Sequence, residues 1–129
     1  MKLSSISNHH VAAILLMNDA REILIVKRGS SAPWMPSKWA LPGGIVEPDE
    51  TPTAAIIREC EEELSITPNN VALYQTLEYP KYILYLFTGA SAQAPQLNYE
   101  NTDFVYIDKN QLQNYEFVPG IAEVLDKYL

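Results

Sequence analysis

Apolar residues along this chain come in short blocks separated by turn-forming residues. Residues 9–17 (HHVAAILLM) and 22–28 (EILIVKR) are runs of strand length, and Asn18-Asp19-Ala20-Arg21 between them has turn chemistry, so a β-hairpin is expected. Residues 29–38 (GSSAPWMPSK) carry one Gly, three Ser and two Pro and read as a loop, with a lid or substrate loop as its functional form. Trp39-Ala40-Leu41 reads as a short strand ending at Pro42-Gly43-Gly44. Thr51 or Thr53 is placed to cap a helix, and Pro52 suits its first turn if Thr51 caps. The helix runs to about Leu64, and Pro68 with Asn69-Asn70 marks its exit. Residues 71–78 and 81–88 read as strands, 89–103 as a polar loop, and 104–107 as a further short strand. Residues 119–129 form an amphipathic helix with Ile121, Val124, Leu125 and Tyr128 on one side. Strands dominate and two helices accompany them, so the class is α+β, or a mixed α/β sandwich.

The first helix concentrates negative charge. At about 100° per residue, with Glu59 at zero, Glu62 falls near −60° and Glu63 near +40°. Ile57, Cys60 and Leu64 fall near 160°, 100° and 140°, which makes the opposite side apolar, with Glu61 at its far edge and reaching solvent. Arg58 sits near −100°, at the edge of the acidic face, where it could hold Glu50 or another acid. Like charges at i,i+3 and i,i+4 oppose a bare helix by a few tenths of a kcal/mol per pair, roughly, and a solvated face would tolerate that. The Gly-Gly turn just before the helix adds a place where backbone carbonyls can approach an ion. A divalent cation would neutralise the cluster, and oxygen-only ligands favour Mg2+ or Mn2+ over Zn2+.

The chain has 129 residues, the size of one ordinary domain, so a single domain over 1–129 is expected. Hydrophobic residues make up 47%, enough for a packed core, and charged residues only 19%, which makes the acidic cluster more conspicuous. The net charge of −7 argues against a general nucleic-acid or anionic-membrane surface. A protein this acidic needs metal ions or local Arg and Lys to handle phosphates. The single cysteine, Cys60, excludes an intrachain disulfide and suits a reducing compartment; a cytoplasmic location is expected. The run Val11–Met17 lacks the basic start and small-residue cleavage site of a signal peptide. No apolar run approaches the roughly 20 residues needed to cross a bilayer.

The segment G-x5-E-x7-R-E-U-x-E-E-x-G-U, with U a bulky apolar residue, is the signature of the Nudix hydrolase family, and this sequence resembles it closely. Gly44, Glu50, Arg58, Glu59, Glu62, Glu63 and Ile66 occupy its places. Cys60 stands where Ile, Leu or Val is usual, and Ser65 replaces the glycine that normally ends the helix. Lys38–Gly44 is similar to the family's lead-in, and Glu100–Ile107 to its late acidic segment. The resemblance implies a Nudix-type α/β/α sandwich with a mixed central sheet and a catalytic loop–helix–loop. It implies Mg2+-dependent hydrolysis, Mn2+ being an alternative, of a nucleoside diphosphate linked to another group. The substrate would be a normal or oxidised nucleoside triphosphate, or a nucleotide sugar; the competing reading is a sensor that binds nucleotide without turnover.

Carried over by position, Glu59, Glu62, Glu63 and the Gly44 carbonyl would bind the metal. Glu50 and Arg58 would orient the loop and helix, Arg58 also counting among the catalytic set with Glu59 and Glu62. Glu100 is the candidate for a further acid, as ligand or base, and Asp103 the runner-up. Arg28 and Glu47 are candidate substrate contacts, although Arg28 at a strand end reads equally as a surface charge. Trp34, Tyr79, Tyr82 and Tyr85 are candidates to stack on a base, whereas Trp39 and Phe87 read as core. His9 and His10 have no acidic or Cys partners nearby in sequence, and Cys60 reads as a packed thiol. Small nucleotides are the expected partners, with no nucleic acid and no membrane; the sequence leaves the oligomeric state open, a homodimer included. Specificity would reside in loops 29–38 and 89–103.

Overall fold

A computed structural model describes residues 9–129; the first eight positions of the expected domain lie outside the described residues. Among these described residues seven strands form one sheet: β1 His9–Met17, β2 Ile23–Arg28, β3 Trp39–Ala40, β4 Gly43–Ile45, β5 Asn69–Tyr79, β6 Tyr82–Ala90 and β7 Asn101–Ile107. Helix α1 spans Pro52–Leu64, a 3-10 helix Lys109–Asn114, and helix α2 Ile121–Tyr128. At the centre β1 runs parallel to β6 from His9↔Tyr82 to Met17↔Ala90, while β5 pairs antiparallel with β6 and β7 with β2. The sheet is therefore mixed, and helices cover both faces.

The run Val11–Met17 is continuously apolar because both faces of β1 are covered. Ala12, Ile14 and Leu16 join Leu24, Val26, Phe87 and the α1 residues Ala55, Ile56, Cys60 and Leu64 in one core. Ala13 and Leu15 point the other way, to Ile23, Ile25, Leu86, Ile107 and Leu125 of α2.

Several expected boundaries shift. The turn at 18–21 forms, with Asn18 Oδ1 accepting from the amides of Ala20 at 3.1 Å and Glu22 at 2.9 Å. The hairpin it was expected to close is only a mouth: β1 and β2 pair at Met17↔Ile23, and β2 spends its length on β7. The β1 edge is instead taken by β4, which the Gly-Gly pair concealed, since glycine carries no strand preference. A Cβ on Gly43 would overlap the Ala12 carbonyl, so the close pairing of β4 requires glycine there. The polar loop is shorter than 89–103, because β6 continues to Ala90 and β7 begins at Asn101. The 3-10 helix, closed by an Asp108–Gln111 capping box, lies outside every predicted element.

Candidate metal and catalytic centre

Helix α1 starts as its sequence dictates. Thr51 Oγ1 accepts from the Ala54 amide at 3.1 Å, with Pro52 in the first turn. It ends at Ser65, which takes the left-handed conformation (φ 55°, ψ 37°). The amides of Ser65 and Ile66 donate back to the carbonyls of Glu61 and Cys60 at 3.1 and 3.3 Å. The helix exit is thus closed in the way a glycine would close it, with a side chain carried in a conformation glycine prefers.

The buried stripe of α1 differs from the wheel. Ala55, Ile56, Glu59, Cys60, Glu63 and Leu64 are buried, and Ile57 only partly so. Glu59 is 8% exposed and Glu63 4%, so two of the three convergent acids are covered rather than presented to solvent. The wheel fixes angles but not what packs on each flank. Here β4 and the start of β7 close over the acidic side. Gly44 makes room for Glu59: a Cβ at position 44 would overlap the Glu59 carboxylate.

Arg58 ties the exposed part together. Its Nε and Nη2 donate to the two oxygens of Glu50 at 3.1 and 2.6 Å, a bidentate pair. Nη1 reaches Glu59 at 3.3 Å and Glu62 at 3.2 Å, and Nη2 also donates to the Ile45 carbonyl at 3.1 Å. Glu50 Oε1 further accepts from the Glu47 amide at 2.9 Å. One guanidinium therefore links the end of β4 to three carboxylates. That hydrogen-bonding holds the Glu50 carboxyl below its usual range, and Glu50 in turn raises Arg58.

Glu63 is the opposite case. Asn101 Nδ2 donates to its Oε1 at 3.2 Å, while Oε2 is buried with no partner among the described residues. Burial, then the Glu59 carboxyl beside it, then the charge of Glu100, push its carboxyl up to about 9. Burial also raises Glu59, with Glu63 and Arg58 opposing and Glu100 and Glu62 adding to the rise. Glu100 is thus close enough to act on both acids. Its own Oε1 accepts from Asn98 Nδ2 at 3.0 Å. Asp103 lies in register with Lys27, on the sheet face away from α1, and accepts from the Phe104 amide at 2.8 Å. Among the described residues no three His, Cys, Asp or Glu side chains are gathered in ligating geometry. Glu59 and Glu63 come together, whereas the half-exposed Glu62 is turned towards Arg58.

Arg28 Nε donates to the Trp34 carbonyl at 2.7 Å and its guanidinium lies 5.4 Å from the Trp34 ring centroid, bracing loop 29–38. The Gly29 amide donates to the Glu100 carbonyl at 3.1 Å, which brings that loop beside the late acidic segment. Glu47 is exposed. Tyr85 accepts or donates at His10 Nδ1 over 2.9 Å and stacks on its ring, and Tyr79 stacks on Tyr82. Trp39 packs edge-on against Tyr115, and Phe87 and Cys60 are buried in the core, as expected of them. Burial pushes the Cys60 thiol up to about 12, away from nucleophilic use. Asn101 escaped sequence reasoning because it lay within the expected polar loop; its place beside Glu100 in the late acidic segment was the only signal.

The NUDIX domain pattern matches residues 7–128. An 8-oxo-dGTP diphosphatase of Escherichia coli (strain K12) is 41% identical over 69 residues, 54% of this chain and 53% of that protein. The chain thus spans about half the length of that relative. A second 8-oxo-dGTP diphosphatase, from Haemophilus influenzae, is 28% identical over 123 residues, covering 92% of this chain and 90% of the relative. The crystal structure of a MutT protein from Methanosarcina mazei Go1 superposes with a TM-score of 0.78 at 27% identity, covering 94% of each chain. The chain belongs to the NUDIX family.

Proposed function

We propose that this chain is a Mg2+-dependent pyrophosphohydrolase acting on a small nucleotide, most directly a normal or oxidised nucleoside triphosphate, with a nucleotide sugar as the other class. The observation that carries the reading is the buried pair Glu59 and Glu63: the Glu59 carboxylate fills the space that the missing Cβ of Gly44 leaves, and Glu63 Oε2 has no partner among the described residues. Two buried carboxyl groups side by side cannot both ionise cheaply without a cation. The donor set is all oxygen, which fits Mg2+ or Mn2+. Glu59, Glu62, Glu63 and the Gly44 carbonyl would hold it. The similarity to two 8-oxo-dGTP diphosphatases supports the triphosphate class.

When bound, the cation neutralises phosphate charge and eases ionisation of the attacking water. Hydrolysis then forms one bond from the water oxygen to phosphorus and breaks the anhydride P–O bond, whose electron pair leaves with the departing phosphate. Glu100, whose charge already acts on Glu59 and Glu63, is the carboxylate assigned to take the proton, ahead of Asp103 on the other face. Arg58 keeps Glu59 and Glu62 oriented while Glu50 anchors it. Arg28 and Glu47 are assigned to the substrate, Arg28 from a position fixed by Trp34. The buried, single Cys60 accords with the reducing cytoplasm as the compartment. A homodimer is compatible with this reading, which takes a single domain as the working unit.

Replacing Glu62 by Gln removes one charged ligand from a half-exposed position, where folding is tolerant. With saturating Mg2+, we expect turnover of a nucleoside triphosphate to fall about a hundredfold or more. A wild-type rate in Glu62→Gln would overturn the assignment.

A further inference from the structure

We propose that Asn101 is a positioning residue for the cation site, brought to Glu63 by a β-bulge at the start of β7; the inference rests on the cation reading above. Strand alternation makes the case. In β7, Ile107 and Val105 pair with Ile23 and Ile25 and face the α2 side, while Tyr106 pairs with Leu24 on the α1 side. Strict alternation would continue Val105 and Asp103 to Asn101 and send Asn101 away from α1. The register instead shifts between Lys27 and Arg28: Lys27 opposes Asp103, but Arg28 opposes Asn101. Thr102 is the extra residue, and it returns Asn101 to the α1 side, where its amide meets Glu63.

The approach is reinforced from the same segment. The Gln96 and Asn98 amides donate to the carbonyls of Leu64 and Glu63 at 2.8 and 3.3 Å, lacing residues 96–101 to the end of α1. Asn101 is itself only 7% exposed. An ionised carboxylate accepts only, so an amide facing it must present its N–H2. With Oε1 held in this way, the free Oε2 has one direction to point. A bulge that exists to satisfy Glu63 would serve folding alone; one that holds a ligand should alter cation affinity.

The test is Mn2+ binding to metal-free protein, titrated by the loss of the free Mn2+ spin-resonance signal. Wild type, Asn101→Leu, Asn101→Ala and Glu59→Gln are compared, each checked by thermal melting in chelator. Both Asn101 variants are expected to raise the Mn2+ Kd about 10- to 100-fold while remaining folded. The alanine form covers the case in which leucine does not fit. A wild-type Mn2+ Kd in a folded Asn101 variant, with or without a lowered Tm, would overturn the proposal and leave the cation reading intact. Failure of wild type to bind Mn2+, or a wild-type Kd in Glu59→Gln, would instead overturn the cation reading and this inference with it.

Discussion

Glu63 illustrates how a single residue carries two opposed demands. It sits on the side of a helix where packing calls for an apolar group, and it keeps a carboxyl there with one hydrogen-bond donor and, among the described residues, no partner for its second oxygen. Without a cation the cheapest resolution is to hold a proton, which burial and the neighbouring Glu59 favour. The folded-state value of about 9 stands above the ordinary 4.5, so between those values the folded chain binds more protons than the unfolded one. Stability from this group is then fully present at low pH and declines as pH rises through that window. Glu59 shifts in the same direction, whereas the lowered Glu50 acts only below the window. In chelator, the Tm of wild type should therefore fall between pH 5.5 and 8.5 by more than that of Glu63→Gln. Parallel melting curves for the two proteins across that range would contradict the account.

At the scale of elements, α1 shows which features local sequence specifies. Thr51, Pro52 and the stop near Leu64 are all where their capping chemistry puts them. Ser65 closes the exit at a local cost, because a left-handed residue with a Cβ is disfavoured by about 1–2 kcal/mol. Ser65→Gly should relieve most of that, less the entropy glycine adds to the unfolded chain. The expected net gain is about 0.5–1 kcal/mol, a rise in Tm of a few degrees, roughly. A Tm lowered by Ser65→Gly in a melting experiment would show that the exit carries no strain. Other elements were not locally written. β4 is two glycines and a single isoleucine, too short and too glycine-rich to announce itself, and becomes a strand only because β1 offers an edge. The bulge that aims Asn101 depends on the register between β2 and β7, which no local periodicity encodes.

At the scale of the molecule, a sheet covered on both faces holds the loop after β4, helix α1 and the 96–101 segment around one group of acids. The acids were legible in the sequence: Glu59, Glu62 and Glu63 fall on one side of a helix, and with Gly44, Glu50 and Arg58 they stand at the intervals of the family signature. Their division was not legible. Burial of Glu59 and Glu63 follows from long-range packing of β4 and β7, and the salt bridges of Glu59 and Glu62 follow from where Arg58 is pulled by Glu50. The parallel β1–β6 pairing at the centre likewise joins segments roughly 70 residues apart, beyond the reach of hairpin logic. These acids are proposed to serve cation-assisted cleavage of a nucleotide anhydride. That role is tested most directly by incubating the protein with a panel of nucleoside triphosphates and nucleotide sugars, with Mg2+ or with chelator, and resolving the products. The expected result is a nucleoside monophosphate with pyrophosphate, a nucleoside diphosphate with phosphate, or, from a nucleotide sugar, a nucleoside monophosphate with a sugar phosphate, appearing only with the divalent cation. Equal turnover in chelator, or tight nucleotide binding with no product under either condition, would contradict it.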